Sequence, residues 1–289
     1  MRIFVAGTGF TGARIARALV DAGHAVWSMN RSGRANLPSG VRLLAGDVLS
    51  PASLEPLSEL PGMDLMISTL SGTGQKDPEA YRALYVDGPR RLSERLKWNG
   101  PSRVWLLGST GVYGESEGGW VDETTPTEPL HRGGKVQVEA EHAIRAGCDA
   151  CCVLRLSGLY GPGRVRLIRQ ALRKRSWYKP EVWSNQIHGD DVARAVAFLA
   201  GRNDPPPPVL LLSDDLPVKR REVFEWVRAE SGLPEGLLNE DHPHRRGRNR
   251  GNKRVSNRRL RELGYRLKYP TFREGLAPLI GEVTSRVSS

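Results

Sequence analysis

An apolar strand that breaks into a glycine ladder, apolar runs that alternate with helix-like stretches, and a length of 289 residues together predict an α/β fold. The form expected is a doubly wound parallel Rossmann sheet with a small C-terminal lobe. The ladder is Gly7-Thr8-Gly9-Phe10-Thr11-Gly12, of the form G-x-G-x-x-G, directly behind Ile3-Phe4-Val5-Ala6. The three glycines serve separate ends. Gly7 permits a tight turn, Gly9 lets the backbone approach a pyrophosphate, and Gly12 lets the next helix pack close to the strand. In that helix Ile15, Leu19 and Ala22 share one face, and Gly23 stands where a C-terminal cap belongs. Its first turn, with Phe10 and Thr11, offers N–H groups to an anion.

The remaining strands follow in order. Ala25 to Met29 is the second, and where an acidic residue would take the ribose hydroxyls of NAD the chain has Asn30-Arg31-Ser32, with Arg34 close behind. A guanidinium there can pair with a 2′-phosphate, so the expected cofactor is NADP in preference to NAD. Val41 to Val48 forms a third strand ending in an acidic turn, with Asp47 and Val48 placed to border an adenine ring. Ser50-Pro51 then opens a helix with cap and first-turn proline in order. Asp64 to Leu70 is near-continuously apolar, as a buried parallel strand should be. Its end, Thr69-Leu70 and then Ser71-Gly72-Thr73-Gly74, leaves room for cofactor or substrate. A helix is expected from Pro78 to Trp98, then a fifth strand from Arg103 to Leu107, tipped by Ser109 and Thr110. Carboxyl ends of strands line the ligand crevice of an open parallel sheet, so these hydroxyls are positioned for chemistry.

Bulk composition narrows the function classes. No run of about 18 apolar residues occurs, so no membrane span is expected. The short, glycine-broken N-terminal stretch does not read as a signal peptide, and a cytoplasmic location is the expectation. Cys148, Cys151 and Cys152 include a C-x-x-C, but no second pair or histidine cluster accompanies it. They are read as core thiols, with no metal site. The net charge of +11 is uneven: residues 1–150 hold 16 Lys/Arg against 17 Asp/Glu, and residues 151–289 hold 27 against 15. Such a bias attracts anions of several kinds and selects none of them.

An ordered set of motifs resembles the short-chain dehydrogenase/reductase superfamily in its extended, epimerase/dehydratase-like branch. The set is the glycine ladder, Gly46-Asp47-Val48, Tyr85-Val86-Asp87-Gly88 with Leu92, Gly108 to Gly114, Arg155 to Arg164, and Ile187 to Ala193. It spans about residues 1–215. The resemblance implies a serine or threonine after the fifth strand and a tyrosine four residues before a lysine at the start of the next long helix. Here Ser109, Thr110 and Lys135 match, and the tyrosine position holds His131.

In the family mechanism the tyrosine moves a proton at the substrate oxygen as hydride moves at the nicotinamide, while the lysine lowers its pKa and holds the ribose. Imidazole can take that role, although a neighbouring ammonium disfavours its protonated form. Three readings of His131 stay open: a substitute acid/base, a hydrogen-bonding group without proton transfer, and a residue of a protein that has lost the reaction. Tyr113, Tyr160 and Arg164 match the substrate side of the family. Ser109, Thr110, His131 and Lys135 are the candidate catalytic residues. Gly7, Gly9, Phe10, Thr11, Gly12, Asn30, Arg31, Asp47, Val48, Thr69, Leu70 and Lys135 are the candidates for the cofactor.

Beyond the matched motifs, Arg164 opens an Arg-rich helix with Arg166, Arg169, Arg173, Lys174 and Arg175, and Trp177 begins the return to the sheet. His188 is read as structural, and Asp190 to Gly201 as a helix with Val192, Ala195, Val196 and Leu199 inside. Pro205 to Pro208 links to a short strand, Val209 to Leu212, placed back in the sheet. Arg220 to Gly232 is a helix burying Val223, Phe224, Trp226 and Val227. His242 to Lys268 packs eleven Lys/Arg. A lid over an anionic substrate and a grip on nucleic acid are the two readings. Few aromatics interleave with the charges, which disfavours nucleic acid.

Residues 1–157 are therefore expected to form the dinucleotide-binding domain, with 186–212 returning to it, and 158–289 mainly the small substrate lobe. The expected function is an NAD(P)-dependent oxidoreductase or epimerase/dehydratase-like enzyme. Its small-molecule substrate would be an anionic carbonyl or sugar-derived compound. The alternative is a catalytically silent NADP-binding sensor or scaffold protein. The resemblance also suggests a homodimer through the helices carrying Lys135 and Pro78.

Overall fold

The computed structural model describes residues 1–72, 75, 77–172, 181–233 and 251–284. By its internal contacts the chain divides into two compact units. The first is Met1–Val112 with Arg132–Arg155 and Val192–Leu210, and the second is Tyr113–His131 with Leu156–Asp191 and Leu211–Ser289.

The first unit is built on one sheet. Its strands are β1 (Arg2–Ala6), β2 (Ala25–Asn30), β3 (Val41–Ala45), β4 (Leu65–Ser68), β5 (Arg103–Ser109), β6 (Ala150–Leu156) and β7 (Val209–Leu212). They stand in the order β7-β6-β5-β4-β1-β2-β3, and the pairings from β5 through β1 to β3 are parallel. The expected doubly wound order is thus observed, with the strand after the proline linker at one edge. Successive side chains of β1 alternate between faces. Phe4 and Ala6 join a core with Met66, Val104 and Leu106. Ile3 and Val5 are equally buried, as are Ile15 and Leu19 of α1 (Phe10–Asp21). With both faces covered, the strands must be apolar throughout, which is why they read as continuous runs.

Helices α2 (Gly88–Arg95) and α3 (Arg132–Gly147) contribute Leu92, Val136, Ala140 and Ile144 to the same core as Phe4. The single helix expected over Pro78 to Trp98 is instead three pieces: Pro78–Arg82, a π turn over Ala83–Asp87, and α2. Pro89 has no N–H to return to the preceding turn, and the wider turn absorbs the missing bond. Asp77 caps the first piece by accepting from the Glu79 N–H at 3.0 Å. The stretch after Ser50 is a 3-10 helix, Pro51–Glu59, and Ser50 makes no side-chain cap bond. Pro56 lies within it and prevents a regular α-helix. Ala22, expected on the buried face of α1, is its exposed C-terminal cap residue, and Gly23 follows at φ +82° as a left-handed cap requires. The Cys148 and Cys152 thiols are pushed up to about 12, by burial first, so they stay protonated core groups.

In the second unit α5 (Arg220–Glu230) and α6 (Phe272–Thr284) pack with Arg166–Ala171. Their core joins Tyr160, Ile168, Val223, Phe224, Val227, Phe272 and Leu276. Gln186–His188 pairs in parallel with Gly158–Tyr160, and Arg254–Val255 with Trp120–Val121. Helix α4 (Gly189–Ala200) buries Val192, Ala195, Val196 and Leu199 as expected. Thr73, Gly74, Arg173 to Arg175, Trp177 and the basic run from His242 to Arg250 lie outside the described residues.

Candidate functional site

The glycine turn is held from three sides. Gly7 sits at φ +95°, open only to glycine without strain, and its N–H donates to the Met29 carbonyl at 2.9 Å. A Cβ on Gly12 would lie 2.0 Å from the Gly7 carbonyl oxygen and 2.5 Å from Thr69 Oγ1, so only glycine lets α1 start this close to β1. A Cβ on Gly9 would meet nothing within 4 Å. The turn is closed toward the protein and open at Gly9, the shape a pyrophosphate requires. Gly9 is also the N-cap residue of α1, whose first turn carries no acidic side chain. Its first-turn N–H groups and the helix dipole therefore favour an anion.

Around the turn the expected residues have separate roles. Thr69 donates its hydroxyl to the Ala6 carbonyl at 2.9 Å and the Gly7 carbonyl at 3.1 Å. It is committed to locking the turn. Val48, expected beside an adenine, is 3% exposed and belongs to the core, so only its backbone is left for that role. Asp47 folds back on its own chain, accepting from the Leu49 N–H at 2.9 Å. Leu70 is half-buried against the same core. Asn30 donates its amide to Thr8 Oγ1 at 2.5 Å and the Arg34 carbonyl at 3.0 Å, bracing the end of β2, while Arg31 is exposed.

Ser109 ends β5, half-buried, and its Oγ accepts from the Gly111 N–H at 3.0 Å. Thr110 is buried in the turn that follows. Helix α3 begins at Arg132, so His131 is its half-buried flanking residue and Lys135 lies exposed in its first turns. The four-residue spacing expected on one helical face therefore starts one position outside the helix. A cation near a helix N-terminus is disfavoured by the dipole, so Lys135 stands there at some cost to the helix. Farther along, α3 is fastened to the sheet. Arg155 of β6 donates from Nε and Nη2 to the Glu141 carboxylate at 3.0 and 2.7 Å, a buried two-pronged pair. In the sequence Arg155 stands out only as part of a motif.

In the second unit the two expected substrate tyrosines are both turned inward. Tyr113 is 1% exposed and donates its hydroxyl to the Asp122 carbonyl at 2.8 Å. Tyr160 is packed among Val223, Phe224 and Phe272 and lies edge-on to His188 at 5.1 Å. Both rings are thus packed as core, and neither phenol is exposed in this structure. Arg164 is exposed, with Nε donating to the Leu159 carbonyl at 3.1 Å. His188 is buried, accepts from the Asp190 N–H at 3.1 Å, and is structural as read.

Two buried carboxylates in this unit contrast. Asp191 accepts from the Tyr265 hydroxyl and the Lys268 and Tyr269 N–H groups at 2.7–3.0 Å. Among the described residues neither oxygen of Asp214, nor the Tyr160 hydroxyl, has a hydrogen-bond partner. Burial, with Asp215 and Glu274 adding negative charge, holds the Asp214 carboxyl well above the usual carboxylate range. A raised folded-state value means the fold keeps a proton that the unfolded chain releases. The associated stability is complete below the ordinary value of 3.8 and is lost as pH rises through the folded value. Thermal unfolding from pH 5 to 8 should therefore show the wild type losing stability relative to Asp214→Asn, whose amide cannot ionise. Parallel curves for the two proteins would contradict this assignment.

Comparison with known proteins agrees with this geometry. The family model described as NAD dependent epimerase/dehydratase family matches residues 3–210. A solved structure of a Methylobacillus flagellatus protein assigned to the NAD-dependent epimerase/dehydratases is 31% identical, covers 98% of each chain and has a TM-score of 0.80. MoeE5, solved in complex with UDP-glucuronic acid and NAD, is 24% identical over 99% of this chain and all of its own, with a TM-score of 0.76. Among curated proteins, UDP-glucose 4-epimerase of Streptomyces lividans is 26% identical over 147 residues, 48% of this chain and 44% of that protein. The chain spans about half the length of the curated relatives it matches. The expectation of NADP is overturned: solved relatives in which the dinucleotide is identified, MoeE5 among them, hold NAD. Physically, Arg31 is exposed, and ion pairs of exposed arginines are worth little, so it selects no 2′-phosphate by itself.

Proposed function

The chain belongs to the NAD dependent epimerase/dehydratase family, and on that footing we propose that it is an NAD-dependent oxidoreductase or epimerase/dehydratase-like enzyme acting on an anionic, sugar-derived substrate of the nucleotide-sugar class. One observation carries the reading: the turn at Gly7 to Gly12 is closed at Gly12 and open at Gly9, at the start of a helix without an acidic first turn. The residues present therefore fit a dinucleotide. When bound, NAD supplies a hydride acceptor and, once reduced, a donor.

The chain's own residues then have distinct roles. First-turn N–H groups at Phe10, Thr11 and Gly12 hold the pyrophosphate, with Asn30 and Arg31 toward the adenosine ribose and the Asp47–Val48 backbone toward the adenine. Lys135 holds the nicotinamide ribose. Ser109 and Thr110 donate to the substrate oxygen, and His131 holds or takes its proton. Arg164 is suited to the anionic group of the substrate. Support for the substrate class comes from MoeE5, whose structure contains UDP-glucuronic acid or UDP-glucose.

His131 in the tyrosine position favours a second reading, a silent NAD-binding scaffold that keeps the pocket without turnover. Incubating the NAD-loaded protein with UDP-glucose and UDP-glucuronic acid separates the two. Appearance of NADH absorbance, or of an altered sugar by chromatography, is the expected result. NAD binding with no change in either sugar supports the scaffold.

A further inference from the structure

Lysine is the side chain that sequence reading assigns to the surface most readily, yet Lys253 is only 6% exposed. It lies in Gly251-Asn252-Lys253-Arg254-Val255-Ser256-Asn257, a stretch that knits the second unit together. The Asn252 N–H donates to the Glu115 carbonyl, Gly118 to Asn252, Arg254 to Gly119 and Ser256 to Val121, all at 2.8–2.9 Å. Side chains extend the grip. Asn252 Oδ1 accepts from the Trp183 N–H at 2.8 Å, and Asn185 bonds both the Lys253 carbonyl and the Val255 N–H. Asn257 donates to the Ser213 carbonyl at 3.1 Å and the Asp215 carboxylate at 2.6 Å. Gly251, at φ +78°, passes so close that a Cβ there would lie 2.4 Å from the Glu115 carbonyl oxygen.

This ladder holds residues 115–121 through backbone groups, and its first rung is at Glu115, so Tyr113 and Gly114 lie just ahead of it. Lys253 adds an ammonium group at its head, where Nζ donates to the Tyr113 carbonyl at 3.3 Å. Burial pushes the lysine below its ordinary value, against the opposing pull of Glu115, so the charge is held there at a cost. Glu115 itself is tied down by the backbone N–H groups of Glu117, Gly119 and Gly118, which keep its carboxyl low. A charge kept buried at a cost marks a place where position is worth more than stability. Tyr113 follows Ser109 and Thr110 by only a few residues along the chain.

We propose that Lys253 is a positioning residue: its buried ammonium ties the backbone at Tyr113, ahead of the ladder, and so sets how the chain leaves the Ser109–Thr110 turn proposed above to meet the substrate. The substrate part rests on the enzyme reading above. The test uses the full chain as wild type, Lys253→Met and Lys253→Arg, followed by amide hydrogen exchange and by titration of NAD and then UDP-glucuronic acid. Removing a buried charge is often tolerated or stabilising, so Lys253→Met should fold with a Tm near that of the wild type. Its amides at 113–116 should exchange about tenfold faster or more, while β1 to β5 and NAD affinity stay unchanged. UDP-glucuronic acid should bind about tenfold more weakly, and Lys253→Arg should recover most of both losses. Wild-type exchange and affinity in Lys253→Met would overturn the proposal. So would loosening spread through the whole second unit, or no recovery with arginine, since either would make the lysine a packing residue. A wild type that does not bind UDP-glucuronic acid rejects the nucleotide-sugar reading, and the exchange data then decide the lysine's role alone.

Discussion

His131→Tyr should raise hydride transfer and His131→Ala should nearly abolish it. Four residues before Lys135, the family's mechanism uses a phenol, and this chain presents an imidazole. A positioned acid/base is worth about a hundredfold to ten-thousandfold, so alanine should cost at least about a hundredfold in kcat. Tyrosine restores the group that Lys135 is suited to assist. The pH profile gives a second readout. Free imidazole titrates near 6.5 and phenol near 10, so the pH optimum should move upward in His131→Tyr. If wild type and both variants turn over equally, His131 takes no part in the chemistry. If only His131→Tyr is active, the natural protein is the silent scaffold of the second reading.

Gly12→Ala and Gly9→Ala should separate folding from binding at one turn. At Gly12 the new Cβ would press on the Gly7 carbonyl, which is backbone and cannot rotate away. Overpacking of this kind costs about 1–3 kcal/mol or more, beyond the ~1 kcal/mol that alanine returns in helix propensity. Gly12→Ala should therefore melt earlier and lose NAD together. At Gly9 the Cβ meets no protein atom and φ is −73°, ordinary for alanine, so the Tm should barely move. NAD affinity should still fall by about tenfold or more, because the methyl occupies the space of the pyrophosphate. Calorimetric melting and NAD titration of both variants check this. Unchanged NAD affinity in Gly9→Ala would remove the turn from the cofactor site.

The sheet is legible in the sequence because parallel strands covered on both faces must be apolar throughout, and Ile3 to Ala6, Leu65 to Ser68 and Val104 to Leu107 carry that signature. The glycine turn is legible because each glycine answers a steric demand within a few residues of itself. Distant packing is not. Tyr160 resembles a substrate residue by its motif, but its burial depends on Phe272 and on Gly275, where a Cβ would collide with the phenol. Those partners lie more than a hundred residues away. Thr69 reads as a cofactor contact, and only the structure shows its hydroxyl committed to Ala6 and Gly7. Arg31 misleads for an electrostatic reason: a guanidinium near the ribose position is compatible with either dinucleotide while it remains in solvent. Lys253 is hidden because a lysine within a basic stretch reads as a solvated charge, and nothing local reports the acceptor at Tyr113.

The proposed NAD site is residues 7–12 with the end of β2, and everything proposed for the substrate depends on it. Calorimetric titration of the purified chain with NAD and, separately, NADP is the decisive measurement. The expected result is one NAD bound per chain, with NADP weaker and with NAD binding reduced in Gly9→Ala. Failure to bind NAD, or tighter binding of NADP, would contradict it.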